Sequence, residues 1–126
     1  MLTPQTLRIN SVKDTLILEY PNGSEHQFSA EYLRVFSPSA EVRGHGKGQE
    51  ILQHGKRHVL ISSVEKAGNY AIQITFSDSH NTGIYSWDYL YKLADDYTNN
   101  WIDYLSRLHQ AGKSRDTDTQ VVKIIG

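Results

Sequence analysis

Apolar positions in the first third of the chain fall in short alternating runs. Leu7, Ile9 and Val12, then Leu16, Leu18 and Tyr20, are spaced for two short strands, with Lys13-Asp14 as the polar turn between them. Pro21-Asn22-Gly23-Ser24 reverses the chain, because Asn-Gly offers two residues that accept positive φ at low cost. A third short strand, Glu25 to Phe28, is predicted next. Ser29 is placed to cap a brief helix from Ala30 to Phe36, with Tyr32, Leu33 and Phe36 on one face and Pro38 limiting it. From Ser37 to about His58 the pattern lapses. Four glycines and few large apolar residues predict a long loop there, with at most a short strand near Ile51.

The two-residue period returns at Val59. Val59 to Val64 and Tyr70 to Phe76 form a predicted hairpin around Lys66-Ala67-Gly68-Asn69, with Ala71, Gln73 and Thr75 opposite Tyr70, Ile72, Ile74 and Phe76. Ser77 to Asn81 turns the chain again, Thr82 to Tyr85 gives another strand, and Ser86 caps a helix. Trp87, Leu90, Tyr91, Ala94, Tyr97, Trp101, Tyr104, Leu105 and Leu108 then recur at three- and four-residue steps, a stripe that must pack on the sheet. Thr98-Asn99-Asn100 are poor helix formers, so either one long helix or two joined there fit the pattern, ending at Ala111-Gly112.

These elements predict an α+β fold, mostly antiparallel β in a sandwich or open-barrel-like sheet. A short helix follows the third strand, and one or two C-terminal helices pack on the sheet. Residues 1–112 are read as a single domain and residues 113–126 as a flexible tail, in which Val121 to Ile125 could add an edge strand or dangle.

Composition narrows the chemistry. With 126 residues the chain is long enough to fold without covalent staples. It has no cysteine, which removes disulfides, thiolate nucleophiles and sulfur-ligated zinc and fits a reducing compartment. Thirteen basic against fourteen acidic residues leave a net charge of −1, so no global field draws nucleic acid or an anionic membrane. No basic-then-apolar leader and no apolar run long enough for a membrane span is visible, so a cytoplasmic location is expected.

Candidate chemistry is sparse. His54 and His58 are four apart with His45 nearby, but Gly55 between them argues against a helix, and no acidic third ligand stands at a suggestive spacing. His80 reads as a turn residue making a local hydrogen bond. The serines at 62, 63, 77 and 79 lack a nucleophile elbow, and no paired carboxylates suggest a raised pKa. Gly44 to Gln49 lacks the Gly-Lys-Ser/Thr ending of a phosphate loop. Two surfaces remain. Arg43, Lys47, Lys56 and Arg57 face one carboxylate, Glu50, across 43–58, a locally basic loop suited to an anionic partner or to plain solvation. Asp88 and Tyr89 point away from the apolar stripe and are candidate contact residues, although Ser86 and Asp88 equally fit a helix start.

Three segments carry a resemblance: LRINSVKDTLILEYPNG, AEYLRVFSPSAEVRGHG and VEKAGNYAIQITFSDSHNTGIYSWDYL. They resemble the gamma-butyrobetaine hydroxylase-like N-terminal domain family from about Leu7 to Leu108, most tellingly in the run Thr82 to Leu90. In the hydroxylases the resemblance implies an accessory module in front of an iron- and 2-oxoglutarate-dependent catalytic domain. The residues after Leu108 are too few for such a barrel, so the chain is expected not to be an enzyme. The resemblance further implies a structural zinc held by a Cys-x-Cys-x-x-Cys cluster and a later His. Here those positions read Ser37, Ser39, Val42 and His80, so no metal and no cofactor are expected.

The expectation is therefore an interaction or accessory domain whose contact surface draws on Arg34, Arg43, His45, Lys47, Asp88 and Tyr89. A protein partner, no membrane and no nucleic acid are expected. Relatives appended to P-loop ATPases that resemble iron–sulfur cluster carriers imply a role beside iron–sulfur or cofactor assembly. The alternative is a small-ligand or metal-binding protein using the loop histidines, Arg34 and His80.

Overall fold

The structure, a computed structural model, describes residues 3–117. Its first reversal is fixed by Asn10, whose side-chain oxygen accepts hydrogen bonds from the N–H groups of Asp14 (3.0 Å) and Thr15 (3.1 Å). That turn joins β1 (Thr6–Ile9) to β2 (Thr15–Glu19), and β2 pairs in turn with β3 (Glu25–Ser29), all antiparallel. Between β2 and β3 only Gly23 takes a positive φ, +88°. Its N–H bonds the carbonyl of Tyr20 at 3.0 Å, so Pro21-Asn22 form an ordinary turn followed by one left-handed residue, a three-residue hairpin loop.

A second antiparallel sheet holds β4 (Ile61–Ala67), β5 (Ala71–Phe76) and β6 (Ile84–Ser86), in that order. β4 runs past the predicted turn start, so Gly68 to Tyr70 make the connection and Tyr70 stands 69% exposed rather than facing inward. One core unites the sheets. Leu16, Leu18 and Phe28 from the first meet Ile61, Ile72, Ile74, Phe76 and Tyr85 from the second, all nearly excluded from solvent. Each such side chain contributes about 1.5–3 kcal/mol of burial. The arrangement is α+β, with strands predominating in the layers that face the core.

Helices close the open sides. Ser29 caps α1 (Ala30–Val35), its hydroxyl accepting from the Tyr32 N–H at 3.0 Å. Ser86 caps α3 (Trp87–Asp95) in the same way through Tyr89 at 3.0 Å. A one-turn helix, α2 (Ala40–Arg43), stands where the sequence predicts loop, and no strand forms near Ile51, whose N–H bonds only the Val42 carbonyl, at 2.8 Å. The C-terminal stripe splits into α3 and α4 (Tyr97–Gln110), but the joint is Asp96, so Thr98 to Asn100 form the first turn of α4. Of the stripe, Leu90, Tyr104 and Leu108 are buried, together with Leu93, which the pattern omits. Tyr91, Tyr97 and Leu105 are exposed by 37–45%.

Residues after α4 turn back along the loop before β4. The Gly55 N–H bonds the Ser114 carbonyl (2.9 Å), the Arg57 N–H bonds the Arg115 carbonyl (3.0 Å), and Arg57 pairs with Asp116 (2.9 Å). The segment read as a loose tail thus begins with five residues laid against the fold; Val121 to Ile125 lie outside the described residues. No described helix is long and apolar enough to cross a membrane.

Candidate functional site

All six residues of α1 are buried, including Glu31 and Arg34, so this short helix is enclosed rather than amphipathic. Its polar groups are met by side chains from far along the chain. Tyr85 donates to the Leu33 carbonyl (2.6 Å) and Tyr89 to the Phe36 carbonyl (2.5 Å), satisfying orphan acceptors at the helix end. Tyr32 donates to the Leu93 carbonyl at 2.6 Å and accepts from Asn100 at 3.0 Å; burial pushes its phenol up to about 12. Glu31 takes a bidentate pair from Arg115, 2.6 and 2.8 Å, while the Arg115 guanidinium lies 5.1 Å over the Trp101 ring.

Arg34, with its side chain 8% exposed, reaches Asp78 Oδ2 at 2.9 Å and Gln53 Oε1 at 3.0 Å. Lys56 binds the same Asp78 oxygen at 2.7 Å. Burial pushes the Asp78 carboxyl up, but the Lys56 hydrogen bond and the Arg34 charge outweigh it, and the group sits below its usual pKa.

Beside this network lies a second, built on His80. Its Nε2 is 2.8 Å from Ser37 Oγ and 3.4 Å from Ser39 Oγ, and its Nδ1 is 3.3 Å from Glu41 Oε2. Loop 77–80 delivers the imidazole; the turn into α2 delivers both hydroxyls and the carboxylate. Burial, and then the nearby Arg34 charge, lower the His80 pKa against the opposing pull of Glu41 and Asp78. The neutral ring then donates from Nδ1 to Glu41 and accepts at Nε2 from Ser37. The order Ser–His–Glu is that of a hydrolytic triad. Ser37, however, is 1% exposed, its Oγ already accepts from the Ser39 N–H (3.3 Å), and the backbone of Gly83 packs against it. A hydroxyl so enclosed fastens a corner of the fold.

A stability test follows from the neutral ring. With its folded pKa below 6.5, the unfolded chain binds a proton that the folded one does not, so the contribution of His80 is complete above about pH 6.5 and declines as pH falls through that value. The urea midpoint should drop between about pH 7.5 and about pH 5, and drop less in His80→Gln. An equal drop in both proteins would contradict the assignment.

On the outer side of Ser37 opens a cavity of about 710 Å³. Its apolar wall includes Val35, Val42, Leu52 and Tyr104, and its charged lining is Arg43, Lys47 and Arg107 with Glu50 and Asp103. Arg43 lies 5.2 Å over the Tyr89 ring, a cation–π contact, and neither Arg43 nor Lys47 has a salt-bridge partner among the described residues. Burial raises the Tyr89 phenol pKa although Arg43 opposes it. Arg107 Nε stands 3.0 Å from Asp103 Oδ2 but out of line for a hydrogen bond. Among the described residues it is the sole buried side-chain nitrogen or oxygen without a hydrogen-bond partner.

The residues singled out from the sequence divide between these places. Arg43, Lys47, Tyr89, Ser37 and Val42 gather at the cavity. Arg34 and His80 lie behind its wall, and Ser37 and Gln53 are common to both sides. His45 and Asp88 are exposed and do not line it. His45, His54 and His58 make no side-chain hydrogen bond or ion pair to one another, and no group of three metal-binding side chains occurs among the described residues. Glu41 and Gln53 drew no reading from the sequence, Tyr104 reads there only as core, and Arg107 reads only as the partner of Asp103 one turn away, a pair that forms. A Ser-Pro-Ser-x-Glu run, in which Ser39 can begin a helix, was the one signal that pointed to Glu41.

The profile of the gamma-butyrobetaine hydroxylase-like N-terminal family matches residues 7–91, from β1 into α3. The chain belongs to this family. Three solved structures share the fold of this hydroxylase-like N-terminal domain. One, an NMR solution structure, is 46% identical over 99% of this chain and 98% of its own, with a TM-score of 0.79. A second NMR structure is 38% identical over 100% and 95%, with a TM-score of 0.78. The third is a crystal structure of a protein with unknown function belonging to the DUF971 family, from Acidithiobacillus ferrooxidans ATCC 23270. It is 34% identical over 72% of this chain and 91% of its own, with a TM-score of 0.60. No curated protein matches.

The zinc implied for this family would fall at Ser37, Ser39, Val42 and His80, and these residues do not fit it. Two of the positions are neutral hydroxyls packed around the imidazole, and the third is an alkyl side chain 7% exposed. One imidazole and one carboxylate, Glu41, fall short of the four strong donors of a structural zinc site.

Proposed function

We propose that this hydroxylase-like N-terminal domain is a non-catalytic recognition module whose contact face is the rim of the Arg43–Tyr89 cavity. The observation that carries the reading is a cation held over an aromatic ring at a cavity mouth without a carboxylate partner among the described residues. Arg43 is exposed, and Lys47 extends the positive edge on the adjoining glycine-rich loop. Such a rim favours an acidic surface on a protein partner, through encounter rate and orientation more than through buried area. The enclosure of Ser37 and His80 supports a role without bond-making chemistry.

In its finer form, the partner belongs to iron–sulfur or cofactor assembly in the cytoplasm, as the family resemblance implies. Affinity capture from the host under native conditions tests this, with wild-type bait beside Arg43→Glu/Lys47→Glu. Proteins of cluster or cofactor assembly should be enriched on the wild type and lost on the charge-reversed bait. Equal recovery on both would remove the rim from the proposal, and recovery of unrelated proteins would remove the assembly role.

A further inference from the structure

We infer that the cavity beneath that rim binds a small molecule bearing an oxyanion head, carboxylate or phosphate, on an apolar body. The inference rests on the recognition reading of this face and adds an occupant that is not a protein. A volume of about 710 Å³ lies within the range of sites that enclose small organic ligands. The floor suits an apolar body: Val35 and Val42 are each 7% exposed, Tyr104 is 2% exposed, and Leu52 packs beside them. The mouth suits an anion. Arg43 and Lys47 carry positive charge with no salt bridge among the described residues, while Arg107, which also lines the cavity, is paired with Asp103 at 3.0 Å.

Glu50 and Asp103 hold the positive excess to one charge, which suits a singly charged head better than a polyanion such as nucleic acid. The apolar wall argues against inorganic phosphate alone, which would leave it uncovered.

The test uses the whole chain and three amphiphiles with the same ten-carbon tail: decanoate, decyl phosphate and decyltrimethylammonium. Amide shifts in two-dimensional NMR spectra should move saturably around Val42, Leu52 and Tyr89 with one or both anions, and not with the cation. A response to decanoate alone assigns a carboxylate head, and a response to decyl phosphate alone a phosphate head. Arg43→Ala and Lys47→Ala should each weaken binding about tenfold, the effect of one charge-assisted hydrogen bond. Leu52→Trp, which fills the cavity and leaves the rim charges in place, should abolish it while protein capture persists. Arg43→Ala and Lys47→Ala add no bulk to the cavity, so they still test the site if Leu52→Trp does not fold. Binding of the cationic amphiphile at the same residues, or no saturable response to either anion, would overturn the inference. Loss of protein capture with anion binding intact would overturn only the reading of the rim.

Discussion

Asp78→Ala is expected to lower the unfolding free energy by about 3 kcal/mol, because it leaves a buried guanidinium without its counter-charge. The Arg34 side chain is 8% exposed and Asp78 Oδ2 is its sole carboxylate partner among the described residues, with Gln53 supplying a neutral acceptor. Lys56, 2.7 Å from the same oxygen, loses its partner too, but its ammonium can turn toward water at lower cost. Arg34→Ala should cost a similar amount by stranding Asp78 less severely while opening a gap between α1 and the loop before β4. The double variant should be markedly less destabilised than the sum, since two damaged partners share one interaction. Urea unfolding of the four proteins measures this directly; additive losses would mean that the pair is two independent contacts.

Gly83→Ala should cost about 1–3 kcal/mol by overpacking. A Cβ there would stand 2.5 Å from Ser37 Oγ, 3.2 Å from Tyr85 Cε1 and 3.3 Å from Pro38 Cδ. Tyr85 is fully buried and Pro38 is rigid, so the serine hydroxyl must yield, and in yielding it gives up Nε2 of His80. Two readouts follow. Stability falls, and the imidazole, deprived of its neighbour and its close packing, titrates nearer the ordinary histidine value in NMR. Adding Ser37→Ala should return part of the stability by removing the clash, without restoring the titration. An unchanged His80 titration in Gly83→Ala would show that Ser37 and the imidazole are not coupled.

Local chemistry was legible in the sequence wherever it acts over a few residues. Ser29 and Ser86 begin their helices because a hydroxyl meets an N–H three residues on, and the β4–β5 hairpin follows from period-two alternation. The cavity rim was half visible as a run of cations around glycine. What escaped was set by distance along the chain. Arg34 read as part of an exposed contact surface and Glu31 drew no reading, yet both are buried, because their partners come from Asp78 and Arg115. His80 read as a turn residue making a local hydrogen bond, yet its ring is held by Ser37 and Ser39, about forty positions earlier. The single turn of α2 was missed because four residues carry too little periodicity to register. Tyr104 was read only as core, and its hydroxyl, which donates to the Gln53 carbonyl at 2.8 Å, fixes the loop that walls the cavity.

Helix α1 has only six residues, far short of the roughly 12–15 at which an isolated helix becomes even marginal. Its fastenings come from Asp78, Tyr85, Tyr89, Leu93 and Arg115, 44 to 84 positions downstream. Ser29 can hold the first turn locally, but the rest awaits chain that has not yet left the ribosome when this segment emerges. The central helix of the mature fold is thus among the last pieces to settle, and the first sheet must persist without it until the final helix has been synthesised.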